Sequence, residues 1–123
     1  MSDDSPQQIL RYVWLGSMDY QSAYGLQLRL LEARHRDDIP DTLLLLEHQH
    51  VFTLGRRGVQ DDVLAAESEL KLLNADVIET DRGGQTTYHG PGQLVGYPIL
   101  KLQEGEKDVR KFVWNLEEVL IRT

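Results

Sequence analysis

Cysteine is absent from all 123 residues, which removes a disulfide framework, a zinc–thiolate site and a thiol nucleophile together. Positive charge is scarce: 13 Lys and Arg stand against 20 Asp and Glu, for a net charge of −7. That balance disfavours nucleic acid and anionic membranes as partners. It suits small molecules or carrier domains, though an acidic carrier would need a local basic patch. No window approaches the roughly 20 apolar residues of a membrane-spanning helix. The opening residues Met1-Ser2-Asp3-Asp4-Ser5-Pro6 lack the basic and apolar regions of a signal peptide, so a cytoplasmic address is expected. Internal repeats and low-complexity tracts are also missing. What is present is ordinary for one soluble domain or part of one: 41% hydrophobic and 27% charged residues.

Four of the ten glycines fall in one stretch, Asp81-Arg82-Gly83-Gly84-Gln85-Thr86-Thr87-Tyr88-His89-Gly90-Pro91-Gly92-Gln93. Apolar runs flank it on both sides. Glycine loses the most freedom on folding, so so permissive a segment costs stability and reads as a ligand loop on a rigid scaffold. Gly83-Gly84 allows close approach of a ligand to the main chain, free N–H groups there form an anion nest, and Arg82 adds a cation with a planar donor fork. Thr86-Thr87-Tyr88-His89 alternates as a short strand, with Thr86 and Tyr88 on one face and Thr87 and His89 on the other. Gly90-Pro91-Gly92 is a tight turn that aims His89 and Gln93. A glycine-rich hairpin without a ligand is the plainer alternative.

The rest of the chain reads in order as follows. Residues 1–8 form a disordered tail, and residues 9–123 form the folded portion. Residues 9–15 are a first strand. Ser17 or Asp19 caps a helix over residues 20–35, with Tyr20, Ala23, Tyr24, Leu28 and Leu31 as its stripe, widened by Leu26 and Leu30. Arg29, Arg34 and Arg36 are expected on its solvated face. The run Thr42-Leu43-Leu44-Leu45-Leu46-Glu47-His48 fits a central strand buried on both faces. A second strand, residues 51–54, leads to the basic loop Gly55-Arg56-Arg57-Gly58. His48 and His50 share one side of an extended chain but lack a third ligand at suitable spacing, so no metal site is assigned. His48 is expected as a satisfied structural histidine or a pocket wall. Asp61 or Asp62 caps a helix carrying Val63, Ala66, Leu70 and Leu73. A strand at residues 76–80 precedes the glycine loop. The run 92–102 is apolar on both parities and expected to be buried on both sides, with Pro98 marking an edge or a bulge. Asp108 caps a last helix with Val109, Phe112, Val113, Leu116 and Leu120 on one face. Nothing in its final residues, Leu120-Ile121-Arg122-Thr123, signals a stop.

The run from Arg82 through Ile99, with Arg82-Gly83-Gly84-Gln85-Thr86-Thr87-Tyr88-His89-Gly90-Pro91-Gly92-Gln93 at its head, resembles the signature of the octanoyltransferases (lipoyl(octanoyl) transferases, lipoate-protein ligase B). Leu43-Leu44-Leu45-Leu46-Glu47-His48 and Val51-Phe52-Thr53-Leu54-Gly55-Arg56 resemble that family's upstream strand pair. The resemblance covers most of the chain after about Arg11. Thr86 departs from it where Val is more usual. The resemblance implies an α+β (mixed α/β) fold: a mixed sheet flanked by helices, like the biotin/lipoate ligase catalytic domain and class II aminoacyl-tRNA synthetases, incomplete at the C-terminus. It implies octanoyl transfer from octanoyl-acyl carrier protein to a lysine of lipoyl domains, those of 2-oxoacid dehydrogenases and of the glycine cleavage H protein, without ATP or another cofactor.

In that family the run matching Arg82, Gly83, Gly84, Gln85, Thr86, Thr87, Tyr88 and His89 lines the octanoyl pocket, and His48, Gly90 and Gln93 are expected as supporting residues. The family's nucleophilic cysteine and its helper lysine lie downstream of the matched region. No catalytic residue is therefore assigned in this chain; its lysines, Lys71, Lys101, Lys107 and Lys111, match no family position. His89 or Tyr88 orients the carbonyl or the incoming amine, or His89 merely holds the loop. Two other readings stay open. A lipoate or biotin ligase would use ATP, but its Gly-Gly-Gly run and following His-Asp are not found where Gly90-Pro91-Gly92-Gln93 stands. A non-catalytic binding or partner subunit would suit a chain without cysteine. An exposed strand edge and an unburied last-helix stripe are expected of an incomplete sheet.

Overall fold

The computed structural model describes residues 8–58 and 67–123. All of the expected tail, residues 1–8, except Gln8, the caps Asp61 and Asp62, and the stripe residues Val63 and Ala66 lie outside the described residues. The elements run β1 (Leu10–Ser17), α1 (Tyr20–His35), β2 (Asp41–Glu47), β3 (Val51–Leu54), α2 (Glu67–Leu72), β4 (Asp76–Glu79), β5 (Thr86–His89), β6 (Val95–Ile99) and α3 (Val109–Arg122).

The architecture is mixed α+β, and the strands among the described residues divide between two three-stranded mixed sheets. The first sheet has the order β1-β2-β6, with β1 parallel and β6 antiparallel to β2. The second has the order β4-β3-β5, with β4 parallel and β5 antiparallel to β3. The glycine stretch therefore joins the two sheets: β5 belongs to one and β6 to the other.

Side-chain alternation decides what the first sheet buries. Thr42, Leu44 and Leu46 point inward, and their partners Ile99, Tyr97 and Val95 point the same way. Leu44, Leu46 and Val95 form the core, with Leu15, Met18, Leu26 and Leu30 packed over it. Each buried leucine contributes about 1.5–3 kcal/mol. The opposite face carries Leu43, Leu45, Gly96 and Pro98 and is partly open to solvent. Two expectations fail here: neither the run 42–48 nor the run 92–102 is buried on both sides. A period of two in a three-stranded sheet with a helix on one face buries only one parity. Pro98 sits on the edge strand β6, where a missing N–H costs no ladder bond.

α1 occupies the expected span. Asp19 caps it, with its Oδ2 accepting from the Ser22 N–H at 2.9 Å, and this hydrogen bond holds the carboxyl below the usual carboxylate range. Ala23, Leu26 and Leu30 face the sheet, whereas Leu28 and Leu31 are exposed. Leucines surround the helix, so packing selects the face and spacing alone does not. Arg34 is another correction. It was expected in solvent, but its Nε donates to Asp41 Oδ1 at 2.7 Å and its Nη1 to Asp37 Oδ1 at 3.0 Å. Lys101 closes the cluster: its N–H donates to Asp41 and its Nζ to Asp37. These pairs tie the end of α1 to the start of β2 and the end of β6.

α3 begins at the expected cap, where Asp108 Oδ1 accepts from the Lys111 N–H at 3.2 Å. None of its residues is buried. Among the described residues, no helix is long and apolar enough to cross a membrane.

Candidate functional site

His48 sits where both sheets and the start of α1 meet. It is 1% exposed, and both ring nitrogens have partners. Nδ1 lies 2.7 Å from the Met18 carbonyl oxygen and Nε2 lies 2.7 Å from the Tyr97 hydroxyl. A carbonyl only accepts, so in the neutral ring Nδ1–H donates to it and Nε2 accepts from Tyr97. Burial, with Tyr20 adding to it, pushes the Tyr97 phenol up to about 12, so the donated proton stays in place through neutral pH. The rings of Tyr20, Tyr97 and His89 stand 5.4, 5.9 and 5.9 Å from His48 by centroid. With both nitrogens engaged, His48 has no lone pair for a metal.

His89 comes from β5, opposite Val51 of β3, and its ring reaches the His48 edge. Burial holds its pKa below the ordinary histidine value. The neighbouring His48 and Arg82 push the same way, and a hydrogen bond to Gln93 opposes them. The turn explains that last contact. The Gln93 N–H donates to the Gly90 carbonyl at 3.1 Å, Pro91 follows Gly90, and Gly92 has φ +84°. This is the type II pattern, which fixes proline and glycine at the two central positions. The Gly92 N–H also donates to Glu47 Oε1, so the turn is anchored to the end of β2.

Tyr88 points to the other face of β5. Its hydroxyl lies 2.6 Å from His50 Nδ1, and its ring lies 5.1 Å by centroid from Phe52. A methyl group at Gly90 would overlap the Tyr88 hydroxyl, so the half-exposed Tyr88 ring would have to shift to admit one. His48 and His50, which flank Gln49 between β2 and β3, thus serve different clusters.

Arg82 turns its guanidinium inward. Its Nη2 donates to the Thr53 carbonyl at 2.6 Å and to Thr53 Oγ1 at 2.7 Å, and Nη1 donates to the Gly83 carbonyl. The fork expected for an anion is spent on the fully buried Thr53. The basic loop after β3 lies against the glycine loop. Gly55, Arg56 and Arg57 donate their N–H groups to the carbonyls of Gln85, Arg82 and Gly84. A side chain at Gly55 would strike the Gly84 carbonyl, so these two loops touch main chain to main chain. With those carbonyls turned toward residues 55–57, the N–H groups of Gly83 and Gly84 have no partner among the described residues.

The predicted residues therefore divide. His48, His89 and Gln93 converge on one cluster, Tyr88 and Gly90 form a second with His50, and Arg82, Gly83 and Gly84 brace the loop. Gln85 and Thr87 are exposed, and Thr86 is half-buried. A cavity of about 240 Å³ opens beside the first cluster between the start of α1 and the end of β4, lined by Tyr20, Tyr24, Ile78, Glu79, Thr80 and Asp81 with Gln21. Residues 82–89 do not line it. Sequence reasoning missed Tyr97, Tyr20 and Thr53 as members of this region. Tyr97 carried a signal: a tyrosine inside an apolar strand needs a hydroxyl partner once buried.

Comparison with known proteins adds to this geometry. Residues 19–123 match the lipoyl protein ligase A/B catalytic domain family. The chain is 50% identical over 109 residues to an octanoyltransferase of Caldicellulosiruptor bescii, covering 89% of this chain and 48% of that protein. It is 48% identical over 113 residues to an octanoyltransferase of Alkaliphilus metalliredigens, covering 92% and 52%. An octanoyltransferase of Chloroflexus aurantiacus is 48% identical over 109 residues, covering 89% and 49%. The chain thus spans about half the length of the curated relatives it matches.

Proposed function

Since this chain belongs to the lipoyl protein ligase A/B catalytic domain family, we propose that residues 9–123 form the N-terminal portion of an octanoyltransferase catalytic domain. The reaction moves an octanoyl group from an acyl carrier protein to a lysine of a lipoyl domain, in the cytoplasm, without ATP. The observation that carries this reading is identity near 50% to octanoyltransferases across almost nine-tenths of the chain.

The chemistry divides between this chain and the segment it does not span. A thiolate must attack the carrier thioester, forming an acyl-enzyme thioester and releasing the carrier thiol. The lysine amine then attacks that thioester, forming the amide and returning the thiol. With no cysteine here, the nucleophile comes from elsewhere. The role of this chain is to bind and position. In this reading the N–H groups of Gly83 and Gly84, which have no partner among the described residues, donate to the thioester carbonyl, where charge develops as the thiolate attacks. His89, held below the ordinary histidine range, is neutral near pH 7 and able to accept a proton from the incoming amine. An acyl chain gains about 0.8 kcal/mol for each CH₂ buried, so the depth of the apolar slot that receives it would set its length preference.

A chimera tests this reading: the chain fused to the half of a relative that it does not span, incubated with octanoyl-acyl carrier protein and an apo lipoyl domain. Mass spectrometry is expected to find one octanoyl group on the lipoyl-domain lysine, without ATP. Modification only with free octanoate and ATP would make the family member a ligase instead, and none under either condition would overturn the proposal.

A further inference from the structure

The basic loop after β3 holds two arginines out from a fixed base. Residues 55–58 form a tight turn, closed by the Gly58 N–H donating to the Gly55 carbonyl at 2.9 Å, with Arg56 and Arg57 at the two central positions. Both ends of the turn press on the glycine loop. A side chain at Gly55 would strike the Gly84 carbonyl, and one at Gly58 would come within 2.9 Å of Thr86 Oγ1. The N–H groups of Arg56 and Arg57 donate to the Arg82 and Gly84 carbonyls at 3.0 and 2.9 Å. The turn is thus pinned beside the N–H groups of Gly83 and Gly84, while both arginine residues are exposed.

Charge is used differently elsewhere in this acidic chain. Arg34, Arg36, Lys101, Lys107 and Arg122 all pair with carboxylates. Arg56 instead donates through Nε to the Asp81 carbonyl at 2.8 Å, which orients the guanidinium and leaves its two Nη groups uncommitted among the described residues. Arg57 has no side-chain partner among the described residues. Two adjacent guanidiniums repel each other, and an anion shared between them relieves that repulsion. Their planar donor forks match phosphate oxygens in particular.

The octanoyl-transfer reading, on which this inference rests, brings the thioester to the glycine loop at the end of a phosphopantetheine arm. From phosphorus to sulfur that arm is about as long as four extended residues, roughly 14 Å. An arm laid from Gly83 and Gly84 across the adjoining turn carries its phosphate into the sweep of side chains that project from that turn. We propose that Arg56 and Arg57 form a phosphate subsite for the arm that delivers the acyl thioester.

Two probes test this: octanoyl-phosphopantetheine and octanoyl-pantetheine, the same thioester with and without the phosphate. Each is titrated into the chain by calorimetry; with no cysteine present, the thiol step does not consume them. The phosphorylated probe should bind about tenfold more tightly, the low end for hydrogen bonds to a charged group, and should lose that advantage as salt rises. Arg56→Gln together with Arg57→Gln should bring the two probes to equal affinity and leave octanoyl-pantetheine binding unchanged. That unchanged binding, with circular dichroism, shows the variant folded. Equal affinities in the wild-type chain, a phosphate preference that survives the double variant, or no binding of the phosphorylated probe overturns the inference. So does an octanoyl-loaded carrier weakened by the double variant while the small probes stay equal, because the arginines would then meet the acidic surface of the carrier. The two proposals fail separately. A chimera that transfers octanoyl without any phosphate preference removes the subsite alone, whereas a phosphate preference in a chain whose chimera transfers nothing removes the transfer reading alone.

Discussion

Tyr97→Phe isolates one hydrogen bond at the centre of the molecule. The phenol donates to His48 Nε2 at 2.7 Å, and His48 is 1% exposed. Phenylalanine keeps the ring and nearly all of its volume, so no cavity of consequence forms. What changes is that Nε2 becomes a buried acceptor without a donor. His48 cannot compensate by moving its proton, because Nδ1–H is already committed to the Met18 carbonyl. Leaving a buried polar group unsatisfied costs about 1–3 kcal/mol. Urea unfolding, with a slope of about 2 kcal/mol/M for a chain of this size, converts that into a midpoint about 0.5–1.5 M lower. The same substitution made in a His48→Ala background should cost less, since the orphaned acceptor is gone, with a coupling of about 0.5–3 kcal/mol. A midpoint that moves by less than about 0.2 M, or an equal loss in both backgrounds, would refute the reasoning.

Three further outcomes are expected. His89 has a lower pKa in the folded chain than when unfolded, so the unfolded state binds its proton first as pH falls. Stability should therefore drop below about pH 6.5, and drop less in His89→Gln; parallel pH profiles for the two would show that His89 is not responsible. Gly90→Ala should cost about 1–3 kcal/mol by driving a methyl group into the Tyr88 hydroxyl, whereas Gly83→Ala, which meets open space, should be neutral or slightly stabilising; thermal midpoints of the pair decide. Arg82→Lys should lose about 1.5–3 kcal/mol, because an ammonium cannot reproduce the paired donation to Thr53 O and Oγ1, and denaturant titration against wild type measures it.

Local chemistry was legible wherever a residue acts through its own backbone. Asp19 and Asp108 are caps, Pro91 and Gly92 make the turn, and Thr86 to His89 alternate as a strand. The division of strands into two sheets was not legible, since pairing across the chain leaves no trace in local periodicity. The burial of the leucine run was misjudged for the same reason: Leu43 and Leu44 look alike in sequence, and only the position of α1 separates them. At the site, the histidines drew notice but their partners did not. Met18 contributes a carbonyl, which every residue has, and Arg82 looks the same in sequence whether its fork faces a ligand or Thr53.

The interleaving of the two sheets sets an order of assembly. β1 and β2 leave the ribosome first, but the antiparallel neighbour of β2 is β6, so Thr42 waits for Ile99. Between them the chain must produce β3, β4 and β5, which, among the described residues, pair with one another. The central strand therefore stays half-paired until the second sheet has formed. Such non-local pairing, with loop closure preceding its reward, makes folding slow. During that interval β2 presents four consecutive leucines and an open edge, the kind of segment on which nascent chains associate. Expression yield should accordingly depend on temperature and on chaperone supply more steeply than the stability of the finished fold would suggest.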